Sequence, residues 1–274
     1  MSFGLPVPKD RRQLTYSGYL KIPELTSLQR LLSDPPQHDE MLFIIIHQIY
    51  ELWFKELLHE LDTIIEQLAR DDVLAAHRLL RRCIEIERVL ISQVAVLETM
   101  TPMDFLAFRD HLMPASGFES AQFRELEFSS GLKDPGFLYT FEPGSQERAR
   151  LEARLEKPSL RDAFYGLLRR RGFNLPEGQD EAAHRSRLLE LARIYSQAER
   201  HYDLFLLSES LIEYDEAFML WRLHHIEMVQ RMIGSKPGTG GTEGVAYLKK
   251  TLGRRFFPEL WELRTHLSKK TMSY

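Results

Sequence analysis

The chain has 274 residues, of which 43% are hydrophobic, and its 36 Lys and Arg against 40 Asp and Glu leave a formal net charge of −4. That balance argues against a nucleic-acid binder held by bulk positive charge. The only cysteine is Cys83, so a disulfide framework, a Cys-rich zinc site and an iron–sulfur cluster are excluded within one chain, and ten histidines are left as candidate ligands. Residues 1–20 mix prolines, polar residues and the tyrosines Tyr16 and Tyr19, and read as an arm outside the core. They contain no apolar signal segment. The longest early apolar run, 41–46, is six residues, where a membrane span needs about 20. A cytoplasmic protein without membrane contact is expected.

After Pro35-Pro36, residues 39–70 repeat apolar positions at helical spacing with no Gly or Pro. The first half of this stretch is apolar nearly all round, so it should be buried on most sides. Asp71-Asp72 opens a second long helix to about residue 98. Thr101-Pro102 resembles an N-cap followed by proline in the first turn, starting a short helix to about 112. Another helix is expected over about 119–128. The Gly- and Pro-rich middle, 131–180, should hold several short helical pieces and no free linker. Two long helices follow, at about 181–205 and 208–233. A loop with five glycines spans 234–244, and two further helices, about 242–252 and after Pro258, close the chain. No period-2 strand and no internal repeat is found. The fold class is therefore all-α, with the whole chain, 1–274, as one domain.

Five constellations could carry chemistry. His225 shares one helix face with Tyr214, Phe218, Trp221, Val229 and Met232, and so stands alone in an aromatic and apolar stripe. It is either a core histidine hydrogen-bonded to a backbone carbonyl or an axial ligand to a haem, whose apolar face would need such a stripe. His47 stands likewise among Phe43, Tyr50 and Phe54. It reads as a core residue or as a hydrogen-bonding partner for a buried ligand. Arg109, four residues after Phe105, is either a snorkelling surface arginine or a carboxylate clamp at the edge of an apolar pocket, and Ser116-Gly117 follows in a turn. Gly238-Thr239-Gly240-Gly241-Thr242 lacks the lysine and the preceding strand of a phosphate loop. It is a lid or a plain linker. Last, Glu56-x-x-His59 and Glu181-x-x-His184 match the spacing of di-iron carboxylate bundles, but both fall on polar faces, where charge is usually just solvated.

Longer motifs add a resemblance. His38-Asp39-Glu40-Met41-Leu42-Phe43-Ile44, His47-Gln48, Glu51-Leu52-Trp53, Phe108-Arg109, Pro114-Ala115-Ser116-Gly117-Phe118, Gln122-Phe123-Arg124, Trp221-Arg222 with His225, Gly238-Thr239-Gly240-Gly241 and Phe257-Pro258-Glu259-Leu260-Trp261 together resemble the tryptophan 2,3-dioxygenase family, over nearly the whole chain. The resemblance implies an all-α fold around a haem b, ferrous in the active state, in a homotetramer built as a dimer of dimers. It implies insertion of O2 across the indole C2–C3 bond of L-tryptophan to give N-formylkynurenine, the first step of tryptophan degradation.

By motif, His225 would be the axial iron ligand and His47 the distal histidine bonding the indole N–H. Arg109 would hold the substrate carboxylate and Thr239 the ammonium. Phe43 and Phe105 would wall the indole pocket, and Ser116 would face the haem from the distal side. Tyr16 and Tyr19 would reach into a neighbouring subunit's site. Bacterial members usually carry arginine at the position of His224. The stripe and the Trp-Arg-x-x-His spacing nevertheless favour His225 as the ligand. Pro237 replaces a usual basic residue in the lid, and Phe105 stands where some members have tyrosine. The alternatives kept beside this reading are a related haem enzyme acting on another aromatic substrate and, further off, the di-iron bundle oxidase or a helical scaffold.

Overall fold

Thr15 opens a short exposed arm. Its side chain accepts from Gly18 N at 3.0 Å and caps α1 (Tyr16–Leu20), and Lys21, at φ 54°, turns the chain into α2 (Ile22–Leu25). Neither helix buries a residue, so the arm stands off the core as its composition suggests. The structure is a computed structural model that describes residues 14–178, 180–239 and 244–267, without the side chain of Tyr247.

Beyond Pro35-Pro36 comes α3 (His38–Ala69), 32 residues and so about 48 Å long. Leu57, Leu61, Ile64 and Leu68 recur along it at spacings of three and four and are fully buried, as one face of a 3.6-residue period requires. Asp72 accepts from Ala75 N at 3.1 Å and starts α4 (Val73–Leu97). Thr101 and Asp104 form a capping box around Pro102 and begin α5 (Pro102–Arg109), as the sequence suggests. Next come α6 (Ala121–Ser130), capped by Ser120, then α7 (Gln146–Glu156) and α8 (Leu160–Arg170). The middle of the chain is thus short helices packed on the bundle. No strand occurs among the described residues.

The last long pair breaks earlier than the sequence suggests. The helices are α9 (Glu181–Ser196) and α10 (Tyr202–Ile233). Leu191 and Ile194 before the break and Leu204 and Leu207 after it enter one core, and a straight helix through 197–201 would not aim both faces there. Gly234 ends α10, and α11 (Val245–Lys250) and α12 (Pro258–Glu262) follow. The α4 helix is central, packing against both α3 and α10. The main core joins α3, α4, α8, α9, α10 and the chain after 256. A smaller cluster of Ile46, Val94, Leu97, Met100, Phe108, Met228 and Met232 ties α5 to the ends of α3, α4 and α10. That end of the bundle holds the site. No single described helix is long and apolar enough to cross a membrane. The stretch made of α4 and 102–112 passes only as a pair, across a 91° bend, and the apolar face of α4 is spent in the core.

Candidate active site

Between α3, α5 and α10 the bundle leaves a cavity of about 310 Å³, lined on its other sides by the 116–120 turn, Gly238, Thr239, Gly244 and Leu248. Seven residues singled out in the sequence line it together: Phe43, His47, Phe105, Arg109, Ser116, His225 and Thr239. They come from segments nearly 200 positions apart, so only the fold unites them. Tyr16 and Tyr19 do not line it; they are 78% and 70% exposed on the arm.

His47 faces the cavity from α3. Its Nδ1 is 2.7 Å from the carbonyl oxygen of Phe43. A carbonyl only accepts, so Nδ1 carries the hydrogen and Nε2 keeps a lone pair. Burial lowers the His47 pKa, against the opposing pull of the Phe43 carbonyl and the Glu51 carboxylate, so the ring is neutral at physiological pH. The Phe43 ring stands 4.0 Å from it, centroid to centroid, and Phe105 and Phe108 continue the wall at 5.8 and 5.5 Å from Phe43. A neutral acceptor beside an aromatic wall suits a flat ligand with one N–H donor.

His225 faces the same cavity from α10. Burial and the nearby His47 push its pKa down to about 4. Its ring stacks on Trp221, centroids 5.4 Å apart and planes 10° apart. The bland reading of His225 required a hydrogen bond to a carbonyl, yet no described residue is hydrogen-bonded to the ring. The ring is partly buried, and a neutral imidazole lining an apolar cavity has the donor chemistry of a haem axial ligand. His224 is exposed, which leaves His225 as the residue of the pair that fits. The residues present therefore fit the group.

Arg109, at the C-terminal end of α5, donates from Nη2 to the carbonyl oxygen of Pro237 at 2.6 Å. The Thr239 hydroxyl donates to the Ala115 carbonyl at 2.7 Å. The glycine-rich segment is thereby tied down at two points across the cavity mouth. Ser116 caps the short turn at 117–119, with its backbone N–H on Glu119 and its Oγ accepting from Phe118 N. Residues 240–243 of the candidate lid lie outside the described residues.

Sequence reasoning gave no role to several lining residues. Glu51, one turn beyond His47, accepts from Ser120 Oγ at 2.6 Å and Gln122 Nε2 at 2.8 Å, and so joins α3 to the turn that carries Ser116. Glu127 bridges Arg124 at 2.6 Å and Arg222 at 2.7 Å, all three buried. The Arg124-x-x-Glu127 spacing was a legible signal; the partner on α10 was not. Asp215 accepts from Phe256 N, Phe257 N and Trp261 Nε1 at 2.9–3.2 Å and holds the chain end against α10. The rival metal motifs do not converge: His59 is exposed, His184 contacts Glu262 at 2.9 Å, and no cluster of three or more His, Cys, Asp or Glu that could hold a metal occurs among the described residues.

Comparison with known proteins agrees with this geometry. The family model for tryptophan 2,3-dioxygenase matches residues 5–140 and 146–267. A tryptophan 2,3-dioxygenase of Nocardioides sp. is 50% identical over 265 residues, covering 93% of this chain and 95% of the relative. One of Caulobacter vibrioides is 45% identical over 266 residues, covering 93% and 99%. One of Myxococcus xanthus is 41% identical over 283 residues, covering 96% and 97%. Such identity over nearly full length leaves no room for a different fold, and the chain belongs to the tryptophan 2,3-dioxygenase family.

Proposed function

We propose that the chain catalyses the reaction of its family, cleaving the indole C2–C3 bond of L-tryptophan with O2 to give N-formylkynurenine, with a haem b held by His225. The observation that carries this is the pair of neutral imidazoles facing one cavity: His225, to which no described residue is hydrogen-bonded, and His47, whose Nδ1 is held by the Phe43 carbonyl so that Nε2 is the acceptor. A ferrous haem bound there supplies the dioxygen chemistry.

The protein's own part is binding, orientation and exclusion of water. Phe43 and Phe105 stack the indole, and His47 Nε2 accepts its N–H. Arg109 pairs with the carboxylate while Thr239 meets the ammonium. Ser116, which lines the same cavity, would present its hydroxyl toward the bound group. His47 acts by positioning, because a neutral acceptor fixed by Phe43 already satisfies the indole N–H. The segment through Pro237 and Thr239 shuts the mouth, which strengthens every polar contact inside.

In the same proposal residues 1–274 form one catalytic domain. The chain assembles as a homotetramer, a dimer of dimers in which the exposed Tyr16 and Tyr19 reach a neighbour's site. It works in the cytoplasm. The test is an absorption spectrum of protein supplied with haem, followed by product analysis. A Soret band that shifts on reduction and on CO binding, with N-formylkynurenine formed from L-tryptophan, is expected. Absence of the band opposes the haem reading, and turnover of another aromatic compound in place of tryptophan favours the related-enzyme reading. Light scattering reads the assembly.

A further inference from the structure

The segment between α10 and α11 leaves and re-enters helix through two glycines of almost the same conformation. Gly234 has φ 60° and ψ −127°, and Gly244 has φ 58° and ψ −128°. L side chains rarely occupy that region. The two positions differ in their surroundings. A Cβ at Gly234 would meet nothing within 4 Å. A Cβ at Gly244 would stand 2.8 Å from the Lys236 carbonyl oxygen, 3.6 Å from Gly238 N and 3.8 Å from the Pro237 carbonyl carbon. Gly244 thus backs onto the stretch 236–238: the Lys236 carbonyl oxygen is the atom a Cβ would clash with, the other two lie at ordinary contact distance, and all three are backbone, which cannot swing aside as a side chain does. The same stretch carries the Pro237 carbonyl that receives Arg109 Nη2 at 2.6 Å.

We propose that Gly244 is a positioning residue for recognition of the substrate carboxylate: its missing side chain lets 236–238 sit where the Pro237 carbonyl fixes the plane of the Arg109 guanidinium. This rests on the reading of Arg109 as the carboxylate partner. A guanidinium offers five N–H donors in one plane. One bond to a fixed backbone acceptor sets that plane and leaves a fork for a bidentate carboxylate. A methyl group at Gly244 displaces the Pro237 carbonyl and frees the guanidinium to rotate. Phe43, His47 and Phe105 sit on α3 and α5, away from the displaced stretch, so the indole wall is kept. The loss then falls on ligands that carry a carboxylate and spares those that do not.

The experiment titrates haem-loaded protein by absorbance with L-tryptophan and with tryptamine, which keeps the indole and the ammonium and lacks the carboxylate. Wild type, Gly244→Ala and Gly234→Ala are compared. In Gly244→Ala, L-tryptophan binding weakens by about tenfold or more while tryptamine binding stays within about twofold, and KM for L-tryptophan rises by a similar factor with kcat within about threefold. Gly234→Ala keeps the wild-type ratio of the two affinities. Equal weakening of both ligands, no weakening, or loss of bound haem from Gly244→Ala overturns the proposal. So does the same selective loss in Gly234→Ala, which would assign the effect to backbone strain alone. A wild-type protein that binds both ligands alike would instead remove the carboxylate role of Arg109, a failure separate from that of Gly244.

Discussion

The Trp221 indole lies parallel to the His225 imidazole one helical turn away, with 10° between the planes and 5.4 Å between centroids. This stack fixes the rotation of an imidazole that no hydrogen bond from a described residue holds. His225→Ala should purify with little haem from haem-supplied cells, and added imidazole should restore part of the Soret band. Trp221→Ala should keep the ligand but lower haem affinity by about 10–100-fold, the usual effect of losing a group that orients a metal ligand. An unchanged haem spectrum in His225→Ala would remove it as the ligand.

Arg109→Ala should leave haem content unchanged and lower kcat/KM for L-tryptophan. Losing one partner of a desolvated charge pair costs about 2–5 kcal/mol, a fall of roughly 30-fold to several thousand-fold. Arg109→Lys should recover little, since one ammonium cannot hold the Pro237 carbonyl and both oxygens of a carboxylate in a plane. Steady-state kinetics beside haem quantification decide this. Unchanged turnover in Arg109→Ala would take the residue out of the site.

Burial lowers the His47 pKa below the ordinary histidine value of 6.5. The neutral ring is therefore favoured at physiological pH. With the neutral form as the hydrogen-bond acceptor, kcat/KM should be flat across the neutral and alkaline range and decline on the acid side. His47→Ala should retain substantial activity and lose the acid-side decline. A profile still rising between pH 7 and 8, or total inactivity of the alanine variant, would restore His47 as an obligatory base.

Glu87, on α4 against α10, is 1% exposed, and neither of its carboxyl oxygens has a hydrogen-bond partner. Burial, reinforced by Asp215, raises its pKa well above the ordinary value. Below about pH 4.3 the folded and unfolded chains both hold the proton. Above it the unfolded chain ionises and the folded carboxyl does not, so folding stability falls by about 1.4 kcal/mol per pH unit until the native group titrates. Glu87→Gln should abolish this slope. Denaturant midpoints at pH 4, 5.5 and 7 should coincide for the two proteins at the lowest pH and diverge upward, with the variant more stable. A constant difference across that range would contradict the assignment.

The long helices were legible because burial writes a 3.6-residue period into them. Leu57, Leu61, Ile64 and Leu68 show it in α3, and the cap at Thr101-Pro102 has its own local chemistry. The break between α9 and α10 was not legible, because no Gly or Pro marks 197–201 and the cause is tertiary: two apolar faces share one core. At the site, His47 and His225 stood out as single polar residues in aromatic stripes, a contrast visible within one helix. Glu51 and Glu127 did not. Each is an ordinary carboxylate until Ser120 and Gln122, or Arg222 from the far end of the chain, arrive beside it. Gly244 was one of many glycines until its φ, and the Lys236 carbonyl oxygen that a Cβ there would meet at 2.8 Å, were known. Motif resemblance supplied the roles of Arg109, Ser116 and Thr239, which periodicity could only call ambiguous.

Cys83 is fully buried on α4, and burial together with the carboxylates near it raises its thiol pKa well above the ordinary value. It is thus a poor nucleophile toward alkylating reagents and a poor target for oxidation during turnover with O2. The native chain therefore serves as a silent background for thiol chemistry. A cysteine placed at exposed Lys236 would be the single reactive thiol in the folded protein. A fluorophore or spin label attached there would report on the cavity mouth without removal of any native residue from the core.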